Sequence, residues 1–587
     1  MNKILAVLCS RQCIIYLFSL LLPLELVAAN VTYHSRIVGL SASLTSQAQQ
    51  VLQNSATTQL STPTQLPIVA SQDTATLHTL MQTKGYFHAR VENLIQAQDS
   101  AWLMTYYVTP GPATKIVKMH IQITGPGKAN ARLQKRITNN RLKPGKCFRQ
   151  DRYERLKNRL VTTAVMQGYL DAQFTQHAVS INRTLNQAKI ELVLATGPRY
   201  TIQHTQFTQH GFQFSPDFLK RFIPYSPQAI YRYQAQAQLQ QNLEASNYFD
   251  AVSVHSTRNN QTHQVDIQAQ VSAKKSQQYT FGMGYGTETG PRDLLGWKLR
   301  HITADGQRLT ARVEFSKLYV NFGVSYILPG KDPLTDYTSL NAGQAYSDII
   351  PYLSLETALG INWTRQLAHW RWNLGVHQMF IRYTIEPGHD QFVRYLIPDF
   401  FLSYQHFQKQ GYWSNGFSIR NDLSGTLQNP LSSQSFMRNT TQLRISYSLS
   451  HNNRLFSRLC FGALATHDLN TLSPTLRYYA GGVNNVRGYD FKSLSPTHNG
   501  YLSGGHYFFL VGLNFEHHIT GNWSGLVFYN VGNAFNTFQD VDGAQGAGLG
   551  ISWRSQMGPV QLFLSHPLFH RGQHSWRLNF SIGMDLG

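Results

Sequence analysis

Apolar and polar residues alternate along the C-terminal half of the chain, from about Lys274 onwards. The alternation is most regular in five stretches: Tyr279/Phe281/Met283/Tyr285, Leu309/Ala311/Val313/Phe315, Leu443/Ile445/Tyr447/Leu449, Phe509/Val511/Leu513/Phe515 and Trp576/Leu578/Phe580/Ile582. A period of two places successive side chains on opposite faces of a β-strand. The stretches therefore predict strands with one apolar and one polar face, as in a membrane barrel or a soluble sandwich.

Three features favour the barrel: an export leader, aromatic residues at strand ends, and the C-terminal position of the segment. Only a closed sheet can pair all of its backbone groups in lipid. Residues 274–587 offer about 20 residues for each of sixteen strands and its connection, which suits tilted strands of ~9–11 residues. We predict an all-β transmembrane barrel of sixteen antiparallel strands, although the length also permits fourteen or eighteen.

The region before the barrel, residues 30–273, contains a degenerate repeat of roughly 80 residues. Its marks are Gly85-Tyr86-Phe87, Gly168-Tyr169-Leu170 and Asn247-Tyr248-Phe249, which follow helical-looking stretches at 76–83, 152–166 and 233–244. Glycine or asparagine suits the left-handed residue that ends a helix, and the aromatic residue can pack back on that helix. Each unit predicts a strand, helices and two further strands, which is an α+β module.

The three modules are predicted at residues 30–112, 113–198 and 199–273, and their order of elements resembles that of POTRA domains. An unrelated α+β array is the generic alternative. Residues 1–29 are typical of a cleaved signal peptide, with basic Lys3 and Arg11, an apolar run and a small-residue site before Asn30. We therefore expect an exported protein of a Gram-negative cell, with the modules in the periplasm and the barrel in the outer membrane.

The chain is basic, with 51 Lys and Arg against 30 Asp and Glu and a net charge of +21. The basic residues are dispersed, which favours a surface and lumen facing anionic lipid phosphates over a nucleic-acid partner. Of the four cysteines, two lie in the leader, and Cys147 and Cys460 stand alone, so no disulfide framework is predicted. Since the usual catalytic, phosphate-binding and metal-binding motifs are missing, we expect no catalytic residue, metal or cofactor, and no enzyme.

The most specific motif lies late in the predicted barrel. It reads Gly481-Gly482-Val483-Asn484-Asn485-Val486-Arg487-Gly488-Tyr489 and continues with Asp490-Phe-Lys-Ser-Leu-Ser-Pro496. It resembles the loop-six signature of the Omp85 superfamily, in which a long extracellular loop folds back into the lumen and its arginine pairs with the wall. Glycines 546, 548 and 550 alternate in a later strand, and we expect them to leave space for such a loop.

Further stretches are similar to the TamA family of translocation and assembly module subunits, and this resemblance covers nearly the whole mature chain. They are Gly282-Met-Gly-Tyr-Gly-Thr-Glu-Thr-Gly-Pro-Arg292, Pro474-Thr-Leu-Arg-Tyr-Tyr-Ala-Gly-Gly482 and Gly546-Ala-Gly-Leu-Gly-Ile-Ser-Trp-Arg-Ser-Gln-Met-Gly-Pro559. Three modules also fit that family better than the five usual in BamA or the two usual in two-partner secretion transporters.

One position departs from the family pattern. The acidic residues that commonly face the loop arginine correspond here to Asn514 and Asn530, and a buried unpaired arginine would be costly. Glu516 shares a strand face with Asn514. Our hypothesis is that Glu516 pairs with Arg487.

The resemblance implies a function in outer-membrane assembly. The first strand (Tyr279, Phe281, Met283 and Tyr285) and the last strand (Trp576, Leu578, Phe580 and Ile582) would form a lateral gate, weakened by the polar tail from Gly583 onwards. β-Barrel proteins and autotransporters would be inserted or secreted there, with a TamB-like inner-membrane-anchored protein and outer-membrane lipid as partners. A two-partner-secretion-type transporter and a passive outer-membrane channel are the alternatives.

Overall fold

The computed structural model describes residues 31–55, 60, 62–98, 101–349, 351–386, 389–410, 412–555, 558–569 and 575–582. The predicted signal peptide and the tail after Ile582 lie outside the described residues. The chain forms two compact units. One runs to Ile202 and includes residues 230–233 and 259–265, and the other comprises the rest. Within the described ranges, no helix is long and apolar enough to cross a membrane.

Three α/β modules precede the barrel, as the repeat predicts. The first contains β1 (Tyr33–Val38), α1 (Ala42–Ser55), α2 (Leu66–Thr83), β2 (Arg90–Gln98) and β3 (Ala101–Thr109). The second contains β4 (Lys115–Thr124), α3 (Ala131–Thr138), α4 (Gln150–Met166), β5 (Gln173–Asn182) and β6 (Gln187–Ala195). The third contains β7 (Thr201–His210), α5 (Pro216–Lys220), α6 (Tyr233–Ala245), β8 (Phe249–Asn259) and β9 (Gln264–Ala273).

Each module places its last strand in the centre of a small mixed sheet. The strand orders are β1-β3-β2, β4-β6-β5 and β7-β9-β8. In the first two modules the last two strands pair antiparallel, whereas the first strand pairs with the last in parallel. Parallel pairing needs a long crossover, and the intervening helices provide it. The outer strands of the sheets are thus the first and the second of each module.

The predicted helix ends are confirmed by the backbone. Gly85, Gly168 and Asn247 have positive φ angles of 93°, 90° and 64°, and each follows the end of α2, α4 or α6 by two residues. Of the aromatic residues that come next, Tyr169 and Tyr248 are buried. The helix α2 begins at Leu66, well before the helical stretch at 76–83 that the sequence predicts, and Leu66, Ala70 and Leu77 are buried along it.

The barrel is closed and, among the described residues, has sixteen strands, which confirms the predicted number. They are β10 (Gln277–Gly286), β11 (Gly290–Leu299), β12 (Arg308–Ser316), β13 (Tyr319–Pro329), β14 (Asp336–Ile349), β15 (Tyr352–Leu367), β16 (Trp370–Thr384), β17 (Asp390–Gln410), β18 (Trp413–Thr426), β19 (Phe436–Ser448), β20 (Asn453–Thr466), β23 (Tyr507–Thr520), β24 (Trp523–Phe535), β25 (Ala544–Ser555), β26 (Gly558–Phe569) and β27 (Arg577–Ile582). The short strands β21 (Thr497–His498) and β22 (Tyr501–Leu502) form a separate pair between β20 and β23.

The period-two pattern separates an apolar outer face from a polar lumen. Residues of the predicted apolar rows are exposed on the outer wall, with Met283 82% and Tyr447 59% exposed. Their alternate neighbours include Arg312, Arg420 and Asn514, which face inwards. Apolar residues on the outside and charged residues on the inside are the arrangement that lipid outside a wet lumen requires.

The third module contacts one end of the barrel, which we call the module end. Tyr248 donates a hydrogen bond of 2.6 Å to the carbonyl oxygen of Gly306 in the β11–β12 turn. The amide of Ser215 donates to the carbonyl oxygen of Ala304 over 2.8 Å in the same turn. A Cβ atom added at Gly306 would lie 2.3 Å from the Phe218 ring, so only glycine permits this close approach. The opposite end of the barrel is called the far end.

The first module contains a buried carboxylate. Asp73 on α2 is 8% exposed and accepts a hydrogen bond of 2.6 Å from the hydroxyl of Tyr106, which is fully buried on β3. Burial raises the pKa of Asp73, and the hydrogen bond from Tyr106 opposes that shift. Tyr106 therefore satisfies a group that would otherwise be desolvated without a partner.

We predict that Tyr106→Phe destabilises the first module by about 1–3 kcal/mol, because Asp73 then loses its buried donor. Tyr107→Phe is the matched control, since Tyr107 is the next residue on β3 and is 47% exposed. The measurement is native-state hydrogen exchange of α2 and β3 amides in the full chain. Equal protection in the two variants would contradict this role of Tyr106.

Candidate functional site

The long connection between β20 and β23, residues 467–506, is called loop six. Part of it is buried in a cluster with residues of the barrel wall. Loop six contributes Leu469, Leu472, Tyr478, Ala480, Val486, Tyr489 and Leu494, and the wall contributes Ile381, Tyr383, Val393, Tyr395, Ile397, Phe436, Leu464, Phe508, Leu510, Ala534 and Ala544. Loop six is therefore packed inside the cylinder, since these wall residues lie on its inner face.

The signature residues form the tightest part of this packing. Gly481, Gly482 and Gly488 have φ angles of 100°, 113° and 102°, a backbone conformation that glycine adopts without strain. Val486 is fully buried, and Tyr489 is 2% exposed and donates a hydrogen bond of 3.0 Å to the carbonyl oxygen of Gln545 on β25. The motif thus folds as compact turns that present its larger side chains to the wall.

The alternating glycines of β25 provide the space that the sequence predicts. A Cβ atom at Gly546 would lie 1.8 Å from the carbonyl oxygen of Arg487, so any other residue would displace the loop backbone. Gly548 and Gly550 instead accommodate wall side chains, because Cβ atoms there would lie 2.6 Å and 2.4 Å from the rings of Phe528 and Phe563. One glycine admits loop six, and the other two admit the aromatic rings beside it.

Arg487 lies between those two rings. Its guanidinium carbon is 4.3 Å from the ring centroid of Phe528 and 5.0 Å from that of Phe563. Nη1 donates to Oδ1 of Asn514 over 2.9 Å, and Nε donates to the carbonyl oxygen of Val483 over 3.2 Å. The cation is therefore held by two neutral acceptors and two aromatic faces, which attract it through their electron-rich centres.

The hypothesis that Glu516 is the direct hydrogen-bonding partner of Arg487 is wrong. Glu516 forms an ion pair with Arg454, which lies directly opposite it on β20. Asn514, two residues earlier on the same face of β23, takes the hydrogen bond from Arg487. Asn530, the second position that departs from the family pattern, is 2% exposed, and its Oδ1 has no hydrogen-bond partner among the described residues.

Two further basic residues fasten loop six, and sequence reasoning assigned them no role. Arg477 is 4% exposed and donates to the carbonyl oxygens of Leu472 and Ser503, each over 2.8 Å, which ties two parts of the loop together. Nζ of Lys492 donates to the hydroxyl of Tyr352 at the start of β15 over 2.7 Å. Arg477 lies within a stretch that carries the family resemblance, but its acceptors are backbone carbonyls, which leave no mark in a sequence.

The first and last strands close the barrel at a short junction, which we call the seam. In the part of the chain that the structure describes, β10 and β27 are aligned only at Tyr285 with Ile582 and at Gly286 with Ser581. By contrast, β10 and β11 are aligned along all of β10, from Gln277 to Gly286. The outer edge of β10 before Tyr285 thus lies next to no described strand. The polar tail from Gly583 onwards lies outside the described residues.

The residues predicted for a lateral gate lie on both strands of the seam and face outwards. On β10, Tyr279, Phe281, Met283 and Tyr285 are between 44% and 82% exposed. On the other side, Leu578, Phe580 and Ile582 belong to β27, whereas Trp576 immediately precedes it. The structure brings the two rows together only at Tyr285, Phe580 and Ile582, where the rings of Tyr285 and Phe580 are 6.3 Å apart.

The site holds loop six against the wall beside the seam, where the first and last barrel strands meet. Within the described ranges, no group of three or more His, Cys, Asp or Glu residues could hold a metal ion. An exposed strand edge can pair with an incoming strand through backbone hydrogen bonds alone.

We predict that Arg487→Ala releases the signature turn from the wall, because it removes two hydrogen bonds and two cation–π contacts. Asn514→Asp should tighten docking, since a charged acceptor forms a stronger hydrogen bond with arginine than an amide does. Glu516→Gln should leave docking unchanged, because it breaks only the pair with Arg454. The measurements are hydrogen exchange of amides 483–490 and the temperature at which the barrel unfolds in detergent.

For Arg487→Ala we expect a loss of about 2–4 kcal/mol in the free energy of loop docking. Arg444→Ala is the control, because Arg444 also lies on the inner face but is exposed in the lumen. If Glu516→Gln frees the loop as strongly as Arg487→Ala does, the assignment of Asn514 as the partner fails.

The geometry agrees with the family comparison. Residues 405–585 match the model of the Omp85 superfamily domain. A segment of 159 residues is 26% identical to the outer membrane protein assembly factor BamA of Nitratidesulfovibrio vulgaris, strain Hildenborough, and covers 25% of this chain. The chain therefore spans only about 20% of the length of that relative.

The fold is shared with a solved BamA structure. BamA from Haemophilus ducreyi lacking POTRA domains 1–3 superposes with a TM-score of 0.68 at 17% identity, over 80% of this chain and 99% of that one. CdiB from Acinetobacter baumannii has a TM-score of 0.46 at 15% identity, over 81% of this chain and 90% of that one. The chain therefore has the fold of a closed β-barrel preceded by three small α/β modules, and its residues 405–585 match the Omp85 superfamily domain.

Proposed function

We propose that the protein is an outer-membrane assembly factor of the TamA type, which inserts or secretes β-barrel proteins and autotransporters. The observation that carries the proposal is the packing of loop six, which is buried inside the barrel and contacts both the turn after β10 and strand β27. Backbone groups need partners in lipid, so the junction of β10 with β27, where the first and last barrel strands meet, is the place where an incoming strand can pair.

The mechanism needs no catalytic group or cofactor. A client strand pairs with the outer edge of β10, and the seam widens as further client strands follow. The energy comes from the client, whose apolar residues enter lipid and whose backbone groups become paired as it folds. The function of BamA as an assembly factor, which its name states, supports this direction.

Loop six favours assembly over a passive channel. Its buried cluster joins wall residues from β16 to β25, so it occupies the lumen that a passive channel would keep open. The two-partner-secretion alternative has no specific support in the site. The three modules agree with the TamA type, in which the barrel's far end faces the cell exterior and the modules lie in the periplasm.

A disulfide across the seam tests the proposal. Gly286→Cys with Ser581→Cys joins two residues that lie opposite each other, at a distance that suits a disulfide in antiparallel strands. The background lacks Cys147 and Cys460, which are free thiols. We expect oxidation to stop client insertion into vesicles and reduction to restore it, while the barrel stays folded in both states.

The matched control is Ser325→Cys with Asn341→Cys, a pair that faces the lumen between β13 and β14. This lock should leave insertion unchanged, because neither strand belongs to the seam. Full activity with the seam locked would refute a lateral gate there. A wide, stable conductance of the unmodified protein in planar bilayers would favour the passive channel instead.

The proposed partner is a TamB-like protein anchored in the inner membrane. The second strand of each module, β2, β5 or β8, lies at the edge of its sheet and is largely exposed. Exposed sheet edges accept a strand from a partner. These edges are therefore the proposed docking sites, alongside the seam.

We expect a photo-crosslinker placed at Glu92 on β2 or at His177 on β5 to capture this partner in cells, since both positions are exposed. A crosslinker at His78 on α2 is the control away from the sheet edges. Products that contain only client barrels would contradict docking of a TamB-like protein on the modules.

A further inference from the structure

Loop six contacts both strands of the seam at the far end of the barrel. The amide of Val483 donates a hydrogen bond of 2.9 Å to Oε1 of Glu288, in the turn that follows β10. Seven residues later, the carboxylate of Asp490 accepts two hydrogen bonds from the guanidinium of Arg577 on β27. The bond from Nη2 of Arg577 to Oδ2 of Asp490 is 2.9 Å long. One loop thus bridges the two edges.

These contacts lie beside the described backbone pairing of the seam. The amide of Thr287 donates to the carbonyl oxygen of Phe580 over 3.0 Å, and the amide of Phe580 donates to Oγ1 of Thr287 over 3.0 Å. The side-chain contacts from loop six therefore add to the backbone pairing that joins β10 to β27 at this end. A cleft of about 590 Å³ borders the contacts and is lined in part by Glu288, Asp490 and Arg577.

The bridge is effective because loop six is fixed independently. Arg487 lies between Val483 and Asp490 in the chain, and the wall holds its side chain. A loop that is already ordered loses little further conformational entropy when its neighbouring residues bind. A two-bond arginine–carboxylate pair also sets the orientation of both partners, which a single contact does not.

We propose that Glu288, Asp490 and Arg577 are positioning residues, which clamp loop six across the far end of the seam and keep the seam closed. Opening of the seam then requires release of the clamp, so the loop position controls access to the edge of β10. The clamp itself is independent of any client, whereas its role in admitting clients rests on the proposed function.

The test measures the seam without a client. In the full-length protein in lipid nanodiscs, hydrogen exchange of the Thr287 and Phe580 amides reports the seam. We expect Asp490→Asn and Arg577→Gln each to speed this exchange by about two- to fivefold, because the pair is partly exposed and solvent screens it. Glu288→Gln should have a smaller effect, since its amide oxygen still accepts from Val483.

A charge exchange separates the pair from general damage to the fold. Asp490→Arg alone should speed exchange at the seam, and Asp490→Arg combined with Arg577→Asp should return it towards the unmodified rate. Asp422→Asn is the matched control, because it breaks an ion pair with Arg420 on the inner face of β18, away from the seam. It should leave the exchange of Thr287 and Phe580 unchanged.

Unchanged exchange at Thr287 and Phe580 in both Asp490→Asn and Arg577→Gln overturns the clamp, whatever the protein does with clients. Equal acceleration by Asp422→Asn overturns it as well. Faster exchange in the clamp variants supports the clamp even if the seam disulfide leaves client insertion unaffected, and in that case only the proposed function fails.

Discussion

The pairing of backbone groups in lipid is the constraint on which the structure depends. A strand in the hydrocarbon layer cannot hydrogen-bond with water, so both of its edges need a neighbouring strand. The described strands meet this need with antiparallel pairing around the cylinder, and the described part of the seam is aligned at two residue pairs. The seam joins the first and last barrel strands, and the protein's proposed activity consists of offering the edge of β10 there to another chain.

Loop six compensates for the short seam by means of side chains. Its arginine is held without a carboxylate, by Asn514 and the rings of Phe528 and Phe563. An arginine paired with a buried carboxylate is costly to separate, because each charge would be left alone in a medium of low polarity. With neutral partners, only one charge has to be rehydrated when the loop leaves. The asparagine at position 514 therefore favours a loop that docks firmly and can still be released.

The sequence predicts the parts of this fold that depend on neighbouring residues. Alternation along Tyr279–Tyr285 specifies a strand and its outer face, and Gly85 or Gly168 specifies a helix end, because both signals are local. The partner of Arg487, by contrast, depends on contacts between residues that are far apart in the chain. Asn514 and Glu516 share a face, and the choice between them depends on Arg454, which lies opposite Glu516 through the register of β20 and β23. The register between two strands joined by a loop of forty residues cannot be predicted from the sequence of either strand alone.

The contacts of the clamp, like the partner of Arg487, could not be predicted from local sequence. Glu288 and Asp490 both stand in stretches of recognised similarity, yet they are far apart in the chain, and neither reveals that loop six spans the seam. A barrel could have strengthened its closure with more backbone pairs, which are permanent once the register is set. Side chains on a loop can instead be withdrawn together, because they share one backbone. The seam is held both by backbone pairs, two of them in the described residues, and by side chains of loop six that can be withdrawn. Such a seam can open at this one junction while the other fifteen junctions keep the cylinder intact.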